Sequence, residues 1–310
     1  MEALLEIGVF LAKVLIIVVG IVAIILTITA VSIKAKGDKH PEIEDLSAKY
    51  KEQKQALLSV VMNEKDFKQH SKIQKAEQKE KKNAPDTKPR LFILDFLKGD
   101  VNASHVDRFR EEITAVISVA SKEDAILINV ESPGGVVHGY GLAAAQILRL
   151  RDAGLTVTVA VDKVAASGGY MMACVANEII SSPFAIVGSI GVVAQVPNFH
   201  RLLKKNEVDY KEYTAGDYKR TVSILGEITE KGEKKFLEQL EETHVLFKTF
   251  VGRFRPHLKM EEIATGEYWF GTQALAKGLV DKIMTSDDYV QTKLGDHHVF
   301  KVVLEKKPNQ

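Results

Sequence analysis

Ala125-Ile-Leu-Ile-Asn-Val130 runs directly into Glu131-Ser-Pro-Gly-Gly135, and these eleven residues decide the fold. An uninterrupted apolar run of strand length is what a strand buried on both faces requires. The Pro-Gly-Gly that follows is a turn, and a helix-compatible segment from about Val137 to Asp152 comes next. A third element, Leu155-Thr-Val-Thr-Val-Ala-Val161, is again apolar and β-branched. Strand, helix, strand in this order reads as a parallel βαβ unit, so the chain is assigned to the α/β class.

Upstream, Leu91 to Leu97 predicts another buried strand and Val106 to Val119 a helix. Downstream, Glu178 to Ser181 predicts a short strand. A helix is expected near Phe199 to Lys205 and a strand near Tyr210 to Thr214. Glu230 to Phe254 predicts a long amphipathic helix. Thr265 to Gly271 reads as a turn, Gln273 to Lys277 as a short helix, and Val299 to Leu304 as an edge strand.

The N-terminal part differs. Val14 to Ile33 is 20 residues without a charge. At about 1.5 Å per residue, a helix there spans roughly 30 Å, the thickness of a bilayer's hydrocarbon core. Acidic Glu2 and Glu6 and the length of the run argue for a retained anchor over a cleaved leader. Lys34 to Arg90 is rich in lysine, glutamate and glutamine, with Ile43, Leu46, Tyr50, Leu57 and Val61 at helix-like spacing. The expected organisation is a membrane anchor over 1–36, a charged helical stalk or linker over 37–89, a globular domain over 90–285 and a C-terminal tail over 286–310.

With 310 residues, 45% of them hydrophobic, a large core is affordable. A net charge of +1 argues against a nucleic-acid partner. The single cysteine, Cys174, excludes an intrachain disulfide framework and a cysteine-built zinc site.

Chemistry concentrates where parallel strands end. In Val164-Ala-Ala-Ser-Gly-Gly-Tyr-Met-Met-Ala173, a serine precedes two glycines and a helix-capable run. The helix N-terminus would stabilise negative charge at Ser167, so its hydroxyl is a candidate nucleophile, with an ordinary N-cap as the alternative. Gly134, Gly135 and Gly168 could offer backbone N–H groups to an oxyanion. A base is also needed. His138 is the only one of nine histidines beside a motif, and Lys163 and Lys219 are the lysine candidates. A lysine acts as a base only when neutral, which requires a pKa near 7–8 rather than about 10.4 and therefore an apolar setting. Lys219, in Ala215-Gly-Asp-Tyr-Lys-Arg-Thr221, is weakly favoured.

Four ordered motifs, Glu131-Ser-Pro-Gly-Gly135, Ala165-Ala-Ser-Gly-Gly-Tyr170, Gly188-Ser-Ile-Gly191 and the segment ending at Lys219, resemble the signal peptide peptidase A family of serine–lysine peptidases. The resemblance runs from about Arg90 to Ile283, and the anchor and stalk extend it. It implies a ClpP/crotonase-like domain behind the transmembrane helix and stalk. It also implies Ser167 as nucleophile, Lys219 as general base, Ser189 as the hydroxyl orienting the lysine, and Gly134 with Gly168 as oxyanion-hole donors. It further implies peptide or protein substrates such as signal peptides, no cofactor and no metal, a homo-oligomeric ring in which neighbouring copies share a site, and a single-pass position in a bacterial inner membrane. Lys34, Lys36 and Lys39 predict a cytoplasmic catalytic domain by the positive-inside rule, whereas a signal-peptide substrate predicts the outer face. A crotonase-type acyl-CoA hydrolase or hydratase, and a catalytically silent membrane scaffold, are the alternative readings.

Overall fold

A computed structural model of the chain describes residues 18–20, 22, 42–82 and 87–303. The strands are β1 (Glu42–Asp45), β2 (Arg90–Phe96), β3 (Ala125–Val130), β4 (Thr156–Val161), β5 (Val164–Ala166), β6 (Glu178–Ser181), β7 (Ile186–Gly188), β8 (Tyr268–Phe270), β9 (Lys282–Ile283) and β10 (His298–Val303). Among the described residues the helices are α1 (Leu46–Val61), α2 (Glu64–Lys82), α3 (Val106–Val119), α4 (Val137–Asp152), α5 (Gly168–Ala173), α6 (His200–Lys205), α7 (Glu230–Phe254), α8 (Met260–Ile263), α9 (Gly271–Ala276) and α10 (Ser286–Lys293). Seven strands form the main sheet in the order β1-β10-β2-β3-β4-β6-β9. Every pairing from β10 to β9 is parallel. A second sheet, β5-β7-β8, joins a parallel to an antiparallel pair.

The pleat divides the core in two, because alternate residues of a strand face opposite sides. Phe92, Leu94, Phe96, Ile126, Ile128, Val157 and Val159 face α3 and α4, where Phe109, Ile113, Tyr140 and Ile147 meet them. Leu91, Ile93, Leu127 and Val299 point the other way, against Leu46 of α1 and Tyr289 and Val290 of α10. Both faces are covered, which is why these strands read as unbroken apolar runs.

Three expectations are corrected. Tyr210 to Thr214 forms no strand. Its aromatics suit a strand, but no neighbour offers a ladder, and Tyr210 donates instead to Glu212 at 2.7 Å. Tyr268 to Phe270, read as part of a turn, is β8, with Trp269 registered on Val187. The strand at 298–303 is not an edge, because β1 lies beyond it. Residues 286–303 contain α10 and β10, and β10 pairs in parallel with β2.

Within the stalk, Leu46 is buried and Tyr50 packs beside it, while Leu57, Val60 and Val61 stay exposed. Asp45 caps α1 by accepting from Ala48 N at 2.9 Å. The expected anchor, Val14 to Ile33, lies outside the described residues except at 18–20 and 22. Among the described residues no helix is long and apolar enough to cross a membrane.

Candidate active site

Ser167 sits between β5 and α5 with φ 51° and ψ −117°. A non-glycine residue in that region costs about 1–3 kcal/mol and persists only where its surroundings enforce it. The enforcement here is visible. Ser167 N donates to Gly188 O at 2.8 Å, and Met171 N donates to Ser167 O at 2.9 Å. On the other side Ala166 N donates to Ser132 O at 3.0 Å, and Ser132 N to Val164 O at 2.9 Å. The turn is therefore clamped between the loop after β3 and the loop after β7.

Both clamping loops pass through positive φ. Gly134 has φ +91°, and a Cβ there would lie 2.6 Å from Gly168 N and 2.7 Å from Ser167 Cβ. Only glycine lets this loop approach so closely. Ser189 has φ 53° and donates its N–H to Glu267 O at 2.7 Å.

Ser167, Ser189, Gly134, Gly135 and Gly168 line one cleft of about 660 Å³, walled by Val136, Met171, Val192, Val193 and Phe247. Among the described residues its lining holds two hydroxyls and no titratable side chain. None of the three bases weighed from sequence is there. Lys219 is exposed on an irregular segment, with its N–H bonded to Gly216 O at 3.1 Å. Lys163 pairs with Glu131 at 2.9 Å, and His138 is exposed in the first turn of α4.

The backbone donors sort unequally. Gly134 N–H is engaged by Ser132 Oγ at 3.1 Å. The N–H groups of Gly135 and Gly168 have no hydrogen-bond acceptor among the described residues. An amide left without a partner beside a cleft is available to a ligand. Among the described residues no group of three His, Cys, Asp or Glu side chains could hold a metal ion.

Two residues beneath the site went unremarked in the sequence. Ser132 Oγ and Tyr140 OH lie 2.5 Å apart, and Tyr140 OH donates to Asp100 O at 2.7 Å. Burial pushes the Tyr140 hydroxyl's pKa up, only partly offset by the Ser132 contact. Ser132 was inside a quoted motif. Tyr140 carried no signal beyond its place on an apolar helix.

Family profiles match along most of the chain: peptidase family S49 N-terminal over residues 2–147 and peptidase family S49 over residues 149–299. The chain belongs to peptidase family S49. Among relatives of this S49 chain, the "Probable protease SohB" of Haemophilus influenzae is 48% identical over 97% of this chain and 88% of its own length. The "Probable protease SohB" of Buchnera aphidicola subsp. Schizaphis graminum is 46% identical over 96% and 89%. Among solved structures, a membrane-bound stomatin-specific protease in complex with a substrate peptide aligns at TM-score 0.41 and 14% identity, covering 71% of this chain and 94% of its own. The peptidase class expected from the four motifs thus holds at the level of family, and the S49 matches together run from residue 2 to residue 299.

Proposed function

We propose that this S49 chain is a membrane-anchored serine endopeptidase. Ser167 is its nucleophile, and Lys219 of a neighbouring copy is its general base. The observation that carries the reading is a cleft with a strained serine, two unpartnered amides and no titratable group. A hydroxyl is a weak nucleophile until a base takes its proton. The cleft supplies none, so the base must arrive from outside it. A ring built by one repeated contact would bring a second copy's exposed Lys219 segment to each cleft.

In the sequence of steps, neutral Lys219 accepts the Ser167 proton as Oγ attacks the scissile carbonyl. The N–H groups of Gly135 and Gly168 receive the developing oxyanion. This replaces Gly134 by its neighbour as one donor, since Gly134 N–H is already engaged. Ser189 orients the lysine, and Lys219 then protonates the leaving amine. Water releases the acyl group. The apolar walls Met171, Val192 and Phe247 suit an apolar side chain before the cleaved bond and favour the neutral form of an entering amine. Unfolded peptides, membrane-protein fragments and signal peptides fit such a site. The anchor at Val14 to Ile33 holds the domain at a bacterial inner membrane, and the arrangement of sheets supports the ClpP/crotonase-type reading of the fold.

Co-assembly tests this. Ser167→Ala and Lys219→Ala chains should each lose activity and labelling by a fluorophosphonate. Mixed evenly in one ring, about a quarter of sites regain both groups when each site draws on two adjacent copies. Full activity in Ser167→Ala removes the nucleophile, and a mixed ring with no recovered activity removes the shared site.

A further inference from the structure

We propose that Ser132 and Tyr140 are positioning residues that set the oxyanion hole, holding its two backbone donors at one fixed separation. The inference rests on Gly135 and Gly168 being those donors. Gly134 N can only donate, and Asp100 O can only accept. Between them lie two hydroxyls: Gly134 N to Ser132 Oγ at 3.1 Å, Ser132 Oγ to Tyr140 OH at 2.5 Å, and Tyr140 OH to Asp100 O at 2.7 Å. The ends fix the direction of every bond. Ser132 accepts from Gly134 and donates to Tyr140, which donates to Asp100. Each bond polarises the next, which strengthens the chain as a unit around two hydroxyls on fully buried residues.

Tyr140 touches both arms of the hole. Its hydroxyl reaches the 132–135 arm through Ser132, and its ring lies where a Cβ on Gly168 would stand, 2.4 Å from Cγ. Tyr140 is fully buried. The far end of the chain is anchored too, because the Asp100 carboxylate accepts from Ser104 N at 2.8 Å and Ser104 Oγ at 2.7 Å. Behind the first arm, Val136 N donates to Val101 O at 2.8 Å. The residue after Asp100 thus supports the residue after Gly135. One buried phenol therefore sets the distance between two amides that come from different loops.

A merely structural tyrosine would cost stability without altering transition-state binding, so the test separates the two. Tyr140→Phe keeps the ring against Gly168 and removes the relay, and Ser132→Ala removes it one step nearer the amide. Tyr289→Phe is the matched control. Its hydroxyl lies 3.0 Å from Thr158 Oγ1 in the core on the opposite face of the sheet. The readouts are thermal melting, kcat and KM on a fluorogenic peptide, and inhibition by a peptide aldehyde whose adduct with Ser167 presents an oxyanion. In both relay variants kcat should fall roughly tenfold to a hundredfold. KM should stay within about twofold, and aldehyde affinity should fall with kcat. Tyr289→Phe should lose melting temperature alone. If Tyr140→Phe matches Tyr289→Phe in kcat and aldehyde affinity, the inference is overturned, even if Ser132→Ala does not fold. Fluorophosphonate labelling of Ser167 in the unaltered chain reports the underlying reading separately. Without labelling that reading fails, whereas labelling with kinetically silent variants removes only the relay.

Discussion

Adding one methyl group at Gly168 should cost this protein far more than adding one at Gly141. The two glycines lie at the start of α5 and in the first half of α4, and neither has positive φ. A Cβ on Gly141 would meet nothing within 4 Å. Gly141→Ala should therefore stabilise by about 0.5–1 kcal/mol, the gain from replacing glycine inside a helix. A Cβ on Gly168 would stand 2.4 Å from Tyr140 Cγ, 2.7 Å from Cδ2 and 2.8 Å from Cβ. Carbon atoms settle at about 3.5–4.0 Å, so α5 and the ring must part by about 1 Å. The ring cannot swing away, because its hydroxyl is tied to Ser132 and Asp100. Overpacking of this kind costs about 1–3 kcal/mol, against which the stiffer unfolded chain returns about 0.4–1 kcal/mol. At about 2–4 °C per kcal/mol for a domain of this size, Gly168→Ala should melt several degrees below the unaltered chain and Gly141→Ala slightly above it. The kinetic effect is larger. A displacement of about 1 Å in a group that stabilises the transition state costs on the order of 100-fold in rate. Differential scanning calorimetry and the rate of fluorophosphonate labelling at Ser167 measure the two effects. A Gly168→Ala chain that melts and labels like the unaltered protein would refute both the packing against Tyr140 and the placing of the amide.

Breaking the ion pair between buried Arg255 and the more exposed Asp281, which meet at 2.6 and 2.9 Å, should destabilise unequally. Asp281→Ala leaves a guanidinium that is 5% exposed without its partner and should cost about 3 kcal/mol or more, whereas Arg255→Met leaves a carboxylate 34% exposed and should cost less, as urea unfolding would read. Burial alone would raise the Asp124 carboxyl's pKa, but Arg90 and the amides of Ser121 and Arg90 outweigh it and hold the group below its usual range. That stability is present above the unfolded pKa of about 3.9 and is lost as pH falls through the folded value, so Arg90→Met should unfold at a higher pH in an acid titration. Burial pushes the Cys174 thiol far up, so the native protein should react with a maleimide only slowly, and quickly once denatured.

What the sequence could and could not disclose follows from where the forces act. β2, β3, β4 and β6 were legible because a strand buried on both faces must be apolar throughout, a local property. The Ser167 turn was legible because a reversal this tight selects for glycine at its next positions. β10 was misread as an edge because its outer neighbour, β1, comes from the other end of the chain, and β8 was missed because a three-residue strand has no periodicity to detect. The relay through Ser132 and Tyr140 spans eight residues, a helix start and a second loop at Asp100, so only the folded arrangement reveals it. The base is the deepest case. Its chemistry could be asked of the sequence, which favoured Lys219 only weakly, yet among the described residues the cleft holds no titratable group and that lysine lies on the surface. An isolated chain folded this way holds Ser167 with no group in the cleft to take its proton. If the base arrives with a neighbour, activity becomes a property of the assembly, and dilution that dissociates it should abolish turnover while leaving each subunit's fold intact.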